Sequence, residues 1–227
     1  MDGNGRWARA RGLPRTRGHQ KGVESIRDIT TECAKIDGIE RLTLYAFSRE
    51  NWKRPRMEVS FLMRLLKRFC RTELKIMMQN GVRFTTIGAI SGLPPDVEET
   101  LKETARATAG NKRLTLCLAL NYGSRDEIVR AARRLAKECA DDRLSPRSIT
   151  EDLFADYLDT GGAGDPDILI RTAGEMRLSN FLLWQSSYTE LYFTEVLWPD
   201  FRKEHLHAAL KDYARRTRKF GGLEESR

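Results

Sequence analysis

The chain is short of several things, and each shortage removes a class of function. No run of about 18 apolar residues occurs in its 227 residues, so no transmembrane helix is expected. No secretory signal is visible. Cysteine is scarce and scattered. Cys33, Cys70, Cys117 and Cys139 contain no Cys-x-x-Cys pair, which removes the usual zinc and dithiol signatures. Cys33 and Cys117 fall in apolar segments and read as small core residues, and the compartment reads as reducing and cytoplasmic. Acidic side chains are outnumbered, 32 against 40 basic ones, and the resulting net charge of +8 favours an anionic partner. Nucleic acid, a membrane surface and a phosphorylated substrate all satisfy that charge. No repeat or linker divides the chain, which reads as one domain over residues 1–227.

What is present is an alternation of strand and helix patterns. Residues 1–18 are rich in glycine and arginine and read as loop. A helix is expected from Lys21 to Ile36, with Val23, Ile26, Ile29 and Cys33 on one side. Ile39 to Phe47 reads as a strand covered on both faces, as in a parallel sheet. After a polar loop, Met57 to Gln79 forms a long amphipathic helix carrying Val59, Leu62, Leu65, Leu66, Phe69, Ile76 and Met77. Strands follow at 82–87, 114–120 and 167–171, with a last one near Tyr192–Thr194. Helices are expected from Pro94/Pro95 to Thr108, Arg125 to Cys139, a short one capped by Ser148 or Thr150, and Arg202 to Lys219. This order predicts an α/β domain with a mostly parallel sheet flanked by helices.

Four segments have compositions suited to chemistry. The first is Arg171-Thr-Ala-Gly-Glu-Met-Arg177-Leu-Ser179, directly after the apolar run Ile168–Ile170. Ligands of open α/β sheets bind at such strand ends, and arginine forks onto phosphate oxygens two at a time. The second is Met1-Asp2-Gly3-Asn4-Gly5-Arg6-Trp7, where glycines let backbone N–H groups converge on an anion. The adjacent Asp2 and Arg6 suit a diphosphate bridged by Mg²⁺, which takes one or two carboxylates together with phosphate oxygens and water. The third, Arg15-Thr-Arg-Gly-His19-Gln-Lys-Gly22, precedes a helix, whose N-terminus attracts anions. The fourth, Tyr45-Ala-Phe47-Ser48-Arg49-Glu50-Asn51-Trp52-Lys-Arg54-Pro55, closes the strongest strand. Each has an ordinary alternative: surface arginines, a capping histidine, or a polar loop with Trp52 docked on the core.

Together the segments MDGNGRWA, RTRGHQKG, LTLYAFSRENWKRP, LNYGSRDEI and RTAGEMRLSNFLLWQSSYTELYFTEVLWPDF resemble the cis-prenyltransferases, in order and over residues 1 to about 222. The resemblance implies a parallel-sheet fold with an elongated apolar tunnel, working as a homodimer. It implies condensation of an allylic diphosphate, commonly farnesyl diphosphate, with successive isopentenyl diphosphates to give Z double bonds. Carried over residue by residue, it makes Asp2 a Mg²⁺ ligand. It places Gly3, Asn4, Gly5, Arg6, Trp7, Arg15, His19 and Arg54 around the allylic diphosphate, with Phe47 and Trp52 lining that site. Arg171, Arg177 and Ser179 would hold isopentenyl diphosphate, Ser48 and Asn51 would stand near the reacting carbons, and Glu190 would serve the metal or the isopentenyl site. The product would be delivered to a membrane, with the protein peripheral at its inner face. The Asp-Asp-x-x-Asp motif of the all-helical trans-type synthases is absent, since Asp141-Asp142 is followed by Arg-Leu-Ser.

Three features depart from the family pattern. Family members carry an apolar strand before the Met-Asp-Gly-Asn segment, which here begins at Met1. Ala173 stands where a second glycine is common, and Lys219-Phe220-Gly221 replaces an Arg-x-Gly tail. Competing readings are a nucleic-acid binder, a non-catalytic partner subunit, and a relative making a short product. The aromatics do not interleave with a basic stripe, which argues against nucleic acid, and the presence of Asp2, His19, Ser48, Asn51, Arg171 and Arg177 argues against a silent subunit. The apolar face of the helix at 57–79 suits a solid core as well as a tunnel wall.

Overall fold

The computed structural model describes residues 1–217. In chain order it holds α1 (Asn4–Arg9), α2 (Arg15–Cys33), β1 (Arg41–Ser48), α3 (Arg56–Gln79), β2 (Val82–Ile87), α4 (Pro95–Ala107), β3 (Leu114–Tyr122), α5 (Ser124–Ala140), α6 (Glu151–Asp156), β4 (Ile168–Arg171), β5 (Glu190–Phe193) and α7 (Lys203–Tyr213). Every strand pair is parallel. β3 lies between β1 and β2, and β4 pairs with β5. The strands therefore fall into two sheets. Strand β3 is buried along nearly its whole length because it has a neighbour on each edge and helices over its faces, which its unbroken run LTLCLALNY requires.

Helix α3 shows why an amphipathic pattern does not by itself reveal a tunnel. Val59, Cys70 and Met77 pack into the core, whereas Leu62, Leu65, Leu66 and Phe69 line a cavity between α2, α3 and the sheet. The 3.6-residue period is the same for both. Thr150 caps α6, its hydroxyl accepting the Leu153 N–H at 3.1 Å. All four cysteines are unpaired, and burial pushes the Cys33 thiol up to about 12, as expected of a core residue. No helix among the described residues is long and apolar enough to cross a membrane.

The glycine-rich start is where the structure differs most from expectation. Instead of a loop it forms α1 and the first turns of α2, which begins at Arg15 rather than near Lys21. The two helices pack so closely that a Cβ on Gly18 would lie 2.0 Å from the Asn4 carbonyl oxygen. Gly3 enters α1 at φ +99°, a left-handed conformation that glycine adopts freely. The last helix ends at Tyr213, short of the expected Lys219, and the Lys219-Phe220-Gly221 segment lies outside the described residues.

Candidate active site

A cavity of about 1480 Å³ opens where α1, the N-terminal end of α2, the C-terminal end of β1 and the segment after β4 meet. Its inner wall is apolar: Val23, Ile26 and Ile29 from α2, Leu62, Leu66 and Phe69 from α3, Leu44 from β1, and Leu118 and Leu120 from β3. Its mouth is charged. The structure brings Asp2, Gly3, Asn4, Gly5, Arg6, Arg15, His19, Phe47, Ser48, Asn51, Arg54, Arg171, Arg177 and Ser179 to this one opening, from four separate stretches of chain.

The cations form two groups. In the first, Arg15, Arg54 and His19 surround one carboxylate, Glu58, at 3.7, 3.0 and 3.5 Å. The guanidinium of Arg15 lies over the backbone of Gly5, within 3.2–3.5 Å of where a Cβ would stand. His19 is kept from protonating, chiefly by burial and then by the Arg54 charge, so its contact with Glu58 is not an ion pair near neutral pH. Its Nε2 is buried without a hydrogen-bond partner, as is Asn4 Oδ1. A buried polar atom left unsatisfied is costly, and both atoms lie at residues lining the cavity mouth.

In the second group Arg171 is the hub. One nitrogen donates to Ser179 Oγ at 2.8 Å and to the Arg177 carbonyl, and the other reaches Asp2 Oδ2 at 3.2 Å. Glu175 joins Arg6 at 3.1 Å to Arg177 at 2.5 Å. The loop is wound tightly: Ala173, Gly174, Ser179, Asn180 and Leu182 all have φ between 47° and 73°. Left-handed backbone at non-glycine residues costs about 1–3 kcal/mol each and gathers at functional sites. Ala173, which replaces a glycine of the family pattern, holds one of these angles.

Asp2 lies between the two groups. Burial works against its charge, but the Gly3 N–H at 2.7 Å and the Arg171 guanidinium hold its carboxyl below the usual range, so it is ionised at neutral pH. The described residues contain no cluster of three or more histidine, cysteine, aspartate or glutamate side chains able to hold a metal alone. A single ionised carboxylate beside a cationic group at the cavity mouth fits Mg²⁺, which completes its shell with phosphate oxygens and water.

Three expected residues are not brought to the mouth. Trp7 turns its indole N–H to Asp200 Oδ1 at 2.7 Å and stacks under Arg11, so it anchors α1 rather than lining the cavity. Trp52 donates to Asn121 Oδ1 at 2.8 Å and meets the cavity only through Phe47, whose ring it contacts edge-on at 5.1 Å. Glu190 begins β5 and is held by Arg216 at 2.7 Å, away from the cavity lining and from Asp2. Ser48 and Asn51 do line the mouth, but they also cap each other across the 3₁₀ turn Arg49–Lys53, the Ser48 N–H donating to Asn51 Oδ1 at 3.2 Å. Sequence reasoning passed over Glu58 and Glu175. The spacing of Glu58, four residues after Arg54 at the start of a helix, was the available signal.

A family model described as "Putative undecaprenyl diphosphate synthase" matches residues 1–221. The chain belongs to that family. It is 52% identical over 223 residues to an isoprenyl transferase of Clostridium tetani, covering 98% of this chain and 87% of that protein. It is 53% identical to an isoprenyl transferase of Rhizobium meliloti, covering 99% and 91%. Among solved structures, lavandulyl diphosphate synthase from Lavandula x intermedia in complex with dimethylallyl diphosphate superimposes with a TM-score of 0.94 at 40% identity, over 98% of this chain and 95% of that one. A probable undecaprenyl diphosphate synthase from Campylobacter jejuni matches with a TM-score of 0.79 at 36% identity, over 89% and 93%. The family makes this chain an α/β cis-prenyltransferase, and two anion sites beside an apolar cavity are what joining two prenyl diphosphates requires.

Replacing Asp2 by alanine should remove Mg²⁺-dependent turnover by a factor of about 10³, with little change in melting temperature. Its side chain is half exposed and meets only the Gly3 N–H and Arg171. Thermal unfolding and turnover measured on one preparation separate the two effects. Turnover within tenfold of the parent would rule out a metal-holding role for Asp2.

Proposed function

We propose that the protein condenses an allylic diphosphate, farnesyl diphosphate being the expected primer, with successive isopentenyl diphosphates to give a Z-polyprenyl diphosphate. The observation that carries this reading is the placement of two cationic groups, with one ionised carboxylate between them, at the mouth of a deep apolar cavity. Gly3, Asn4, Gly5, Arg6, Arg15, His19 and Arg54 would hold the allylic diphosphate, and Arg171, Arg177 and Ser179 the isopentenyl diphosphate. Asp2 would hold Mg²⁺, which when bound offsets the charge growing on the leaving diphosphate.

The chemistry follows from that placement. The C–O bond at the allylic carbon breaks and diphosphate leaves. The isopentenyl double bond supplies the electron pair for the new C–C bond, and a proton passes from the isopentenyl unit to the departing diphosphate. The arginines stabilise charge on the departing oxygens. The side-by-side sites supply orientation, and Ser48 and Asn51 orient the reacting ends and assist removal of the proton. Glu58 and Glu175 are stand-in anions. The Glu175 pairs with exposed Arg6 and Arg177 are worth little, and the pairs of both acids are given up to an incoming diphosphate. The protein is read as a cytoplasmic homodimer making the lipid carrier for cell-wall synthesis. The exposed Tyr188 and Leu191 beside β5 offer an apolar surface that a second copy would cover.

The depth of the cavity favours chain elongation over a single coupling, since its volume exceeds the roughly 300–1,000 Å³ usual for small-ligand sites. Incubation with farnesyl diphosphate, radiolabelled isopentenyl diphosphate and Mg²⁺ should give a ladder ending at one long product. Leu66→Trp, which adds bulk to the α3 wall, should shift that end point to shorter chains with the first condensation preserved. A single short product from the unaltered protein would favour the short-product reading. No incorporation would favour a non-catalytic subunit.

A further inference from the structure

Asn180 follows Ser179 and joins the segment after β4 to the turn after β1, its Nδ2 donating to Glu50 Oε1 at 3.0 Å. Both residues line the cavity mouth. Anion binding calls for neither, since Asn180 carries no charge and Glu50 carries the wrong sign. The other end of the Asn180 amide is fixed. Its Oδ1 accepts the Arg125 N–H at 2.8 Å and its backbone carbonyl accepts the Ser124 N–H at 2.9 Å, so Asn180 caps α5 from outside the helix. It does so at φ 65°, a conformation asparagine tolerates better than most residues. Gly123 supplies no side-chain cap, and a Cβ there would stand 2.7 Å from Asn180 Nδ2. A backbone N–H can only donate, so Oδ1 must face Arg125 and Nδ2 is aimed at Glu50.

Glu50 stands in the 3₁₀ turn Arg49–Lys53, between Ser48 and Asn51. Burial works against its charge, but the Asn180 amide, its own backbone N–H and the Ser48 hydroxyl hold its carboxyl below the usual range. An amide donating to an ionised carboxylate makes one of the stronger, charge-assisted hydrogen bonds. The bond therefore spans from the residue beside Ser179 to the turn that holds Ser48 and Asn51. We propose that Asn180 and Glu50 are positioning residues, whose bond fixes the isopentenyl side of the mouth relative to the turn at the reacting ends, so that the two carbons to be joined are held in register. A misplacement of about 1 Å between reacting groups can cost about 10²-fold in rate. The inference rests on the prenyl-transfer reading of the cavity.

The test is a charge exchange across the bond, read by steady-state kinetics with farnesyl diphosphate and isopentenyl diphosphate each varied in turn. Asn180→Asp keeps the acceptor that caps α5, where a carboxylate is favoured, and loses only the amide hydrogens that reach Glu50. It should lower kcat by about 10–10²-fold with both KM values changed less than about threefold. Glu50→Gln should cost less, because its amide oxygen still accepts from Asn180. Combined with Asn180→Asp it should restore kcat about tenfold over Asn180→Asp alone, since the new amide donates to the new carboxylate. Melting temperatures should match the parent, because Arg49 still ties the turn to Asp126 on α5. Parental kcat in Asn180→Asp overturns the proposal, and so does a double variant no faster than Asn180→Asp. A lowered melting temperature in Asn180→Asp overturns it in favour of a capping role alone, and a loss confined to KM for isopentenyl diphosphate overturns it in favour of a part in holding that substrate. No transfer by the unaltered protein overturns the prenyl-transfer reading and this inference with it, whereas an active parent with unresponsive variants overturns this inference alone.

Discussion

Arg171→Ala should reduce kcat/KM for isopentenyl diphosphate by a factor of about 10²–10³, the range found when a preorganised charge donor is removed from a reacting site. The expectation comes from how much the side chain does at once. It is largely buried at the end of β4, and its two nitrogens connect Asp2, Ser179 Oγ and the Arg177 carbonyl. Removing it leaves the tightly wound loop without the clasp that holds Ser179 at φ 50°, so Arg177 and Ser179 are displaced together. The loss should fall more heavily on KM for isopentenyl diphosphate than on KM for the allylic primer, whose arginines lie in the other group. Arg171→Lys should recover only part of the activity, because an ammonium keeps the charge but not the fork that reaches Asp2 and Ser179 together. Steady-state kinetics with each substrate varied in turn decide it. Unchanged KM and kcat in Arg171→Ala would remove this loop from the isopentenyl site.

The reach of the sequence can be judged from the same residues. The parallel strands and α3 were legible because their apolar periods are long and regular, and the segment after β4 because two arginines and a serine follow a buried strand. Helix α1 was not legible. Gly-Asn-Gly-Arg reads as a turn, and the segment is helical because it packs on α2 at Gly18, a contact that no local pattern records. The division into two sheets was equally hidden, since pairing partners are set by tertiary structure. Successive residues of β1 and β4 line one cavity, and no ladder joins them among the described residues. Trp7 and Glu190 lie in matching motifs, yet their side chains answer to Asp200 and Arg216. Motif membership fixes where the backbone goes more firmly than where a side chain points. Glu58 and Glu175 escaped notice because a lone acid beside an arginine is common in sequences, and only the convergence of Arg15, Arg54 and His19 on one carboxylate gives Glu58 meaning.

Gly18→Ala should disable the proposed allylic site without touching a charged residue. A methyl group there would stand 2.0 Å from the Asn4 carbonyl oxygen and 3.3 Å from Ala8 Cβ. The nearest atom belongs to backbone, so no rotamer change relieves the clash. Helices α1 and α2 must separate, which for an overpacked interior contact costs about 3 kcal/mol and lowers the melting temperature by roughly 6–12 °C in a chain of this size. The separation moves Gly5 away from Arg15 on α2 and so opens the cradle proposed for the allylic diphosphate. KM for the allylic primer should therefore rise at least tenfold, while Arg171, Arg177 and Ser179 keep their mutual contacts and KM for isopentenyl diphosphate changes less. Gly110→Ala is the control, since a Cβ at that turn meets nothing within 4 Å and should leave both constants and the melting temperature unchanged. If Gly18→Ala melts like the parent and binds the primer as well, the close approach of α1 to α2 is not what builds the site. The cradle would then depend on Trp7, whose bond to Asp200 pins α1 from the other side.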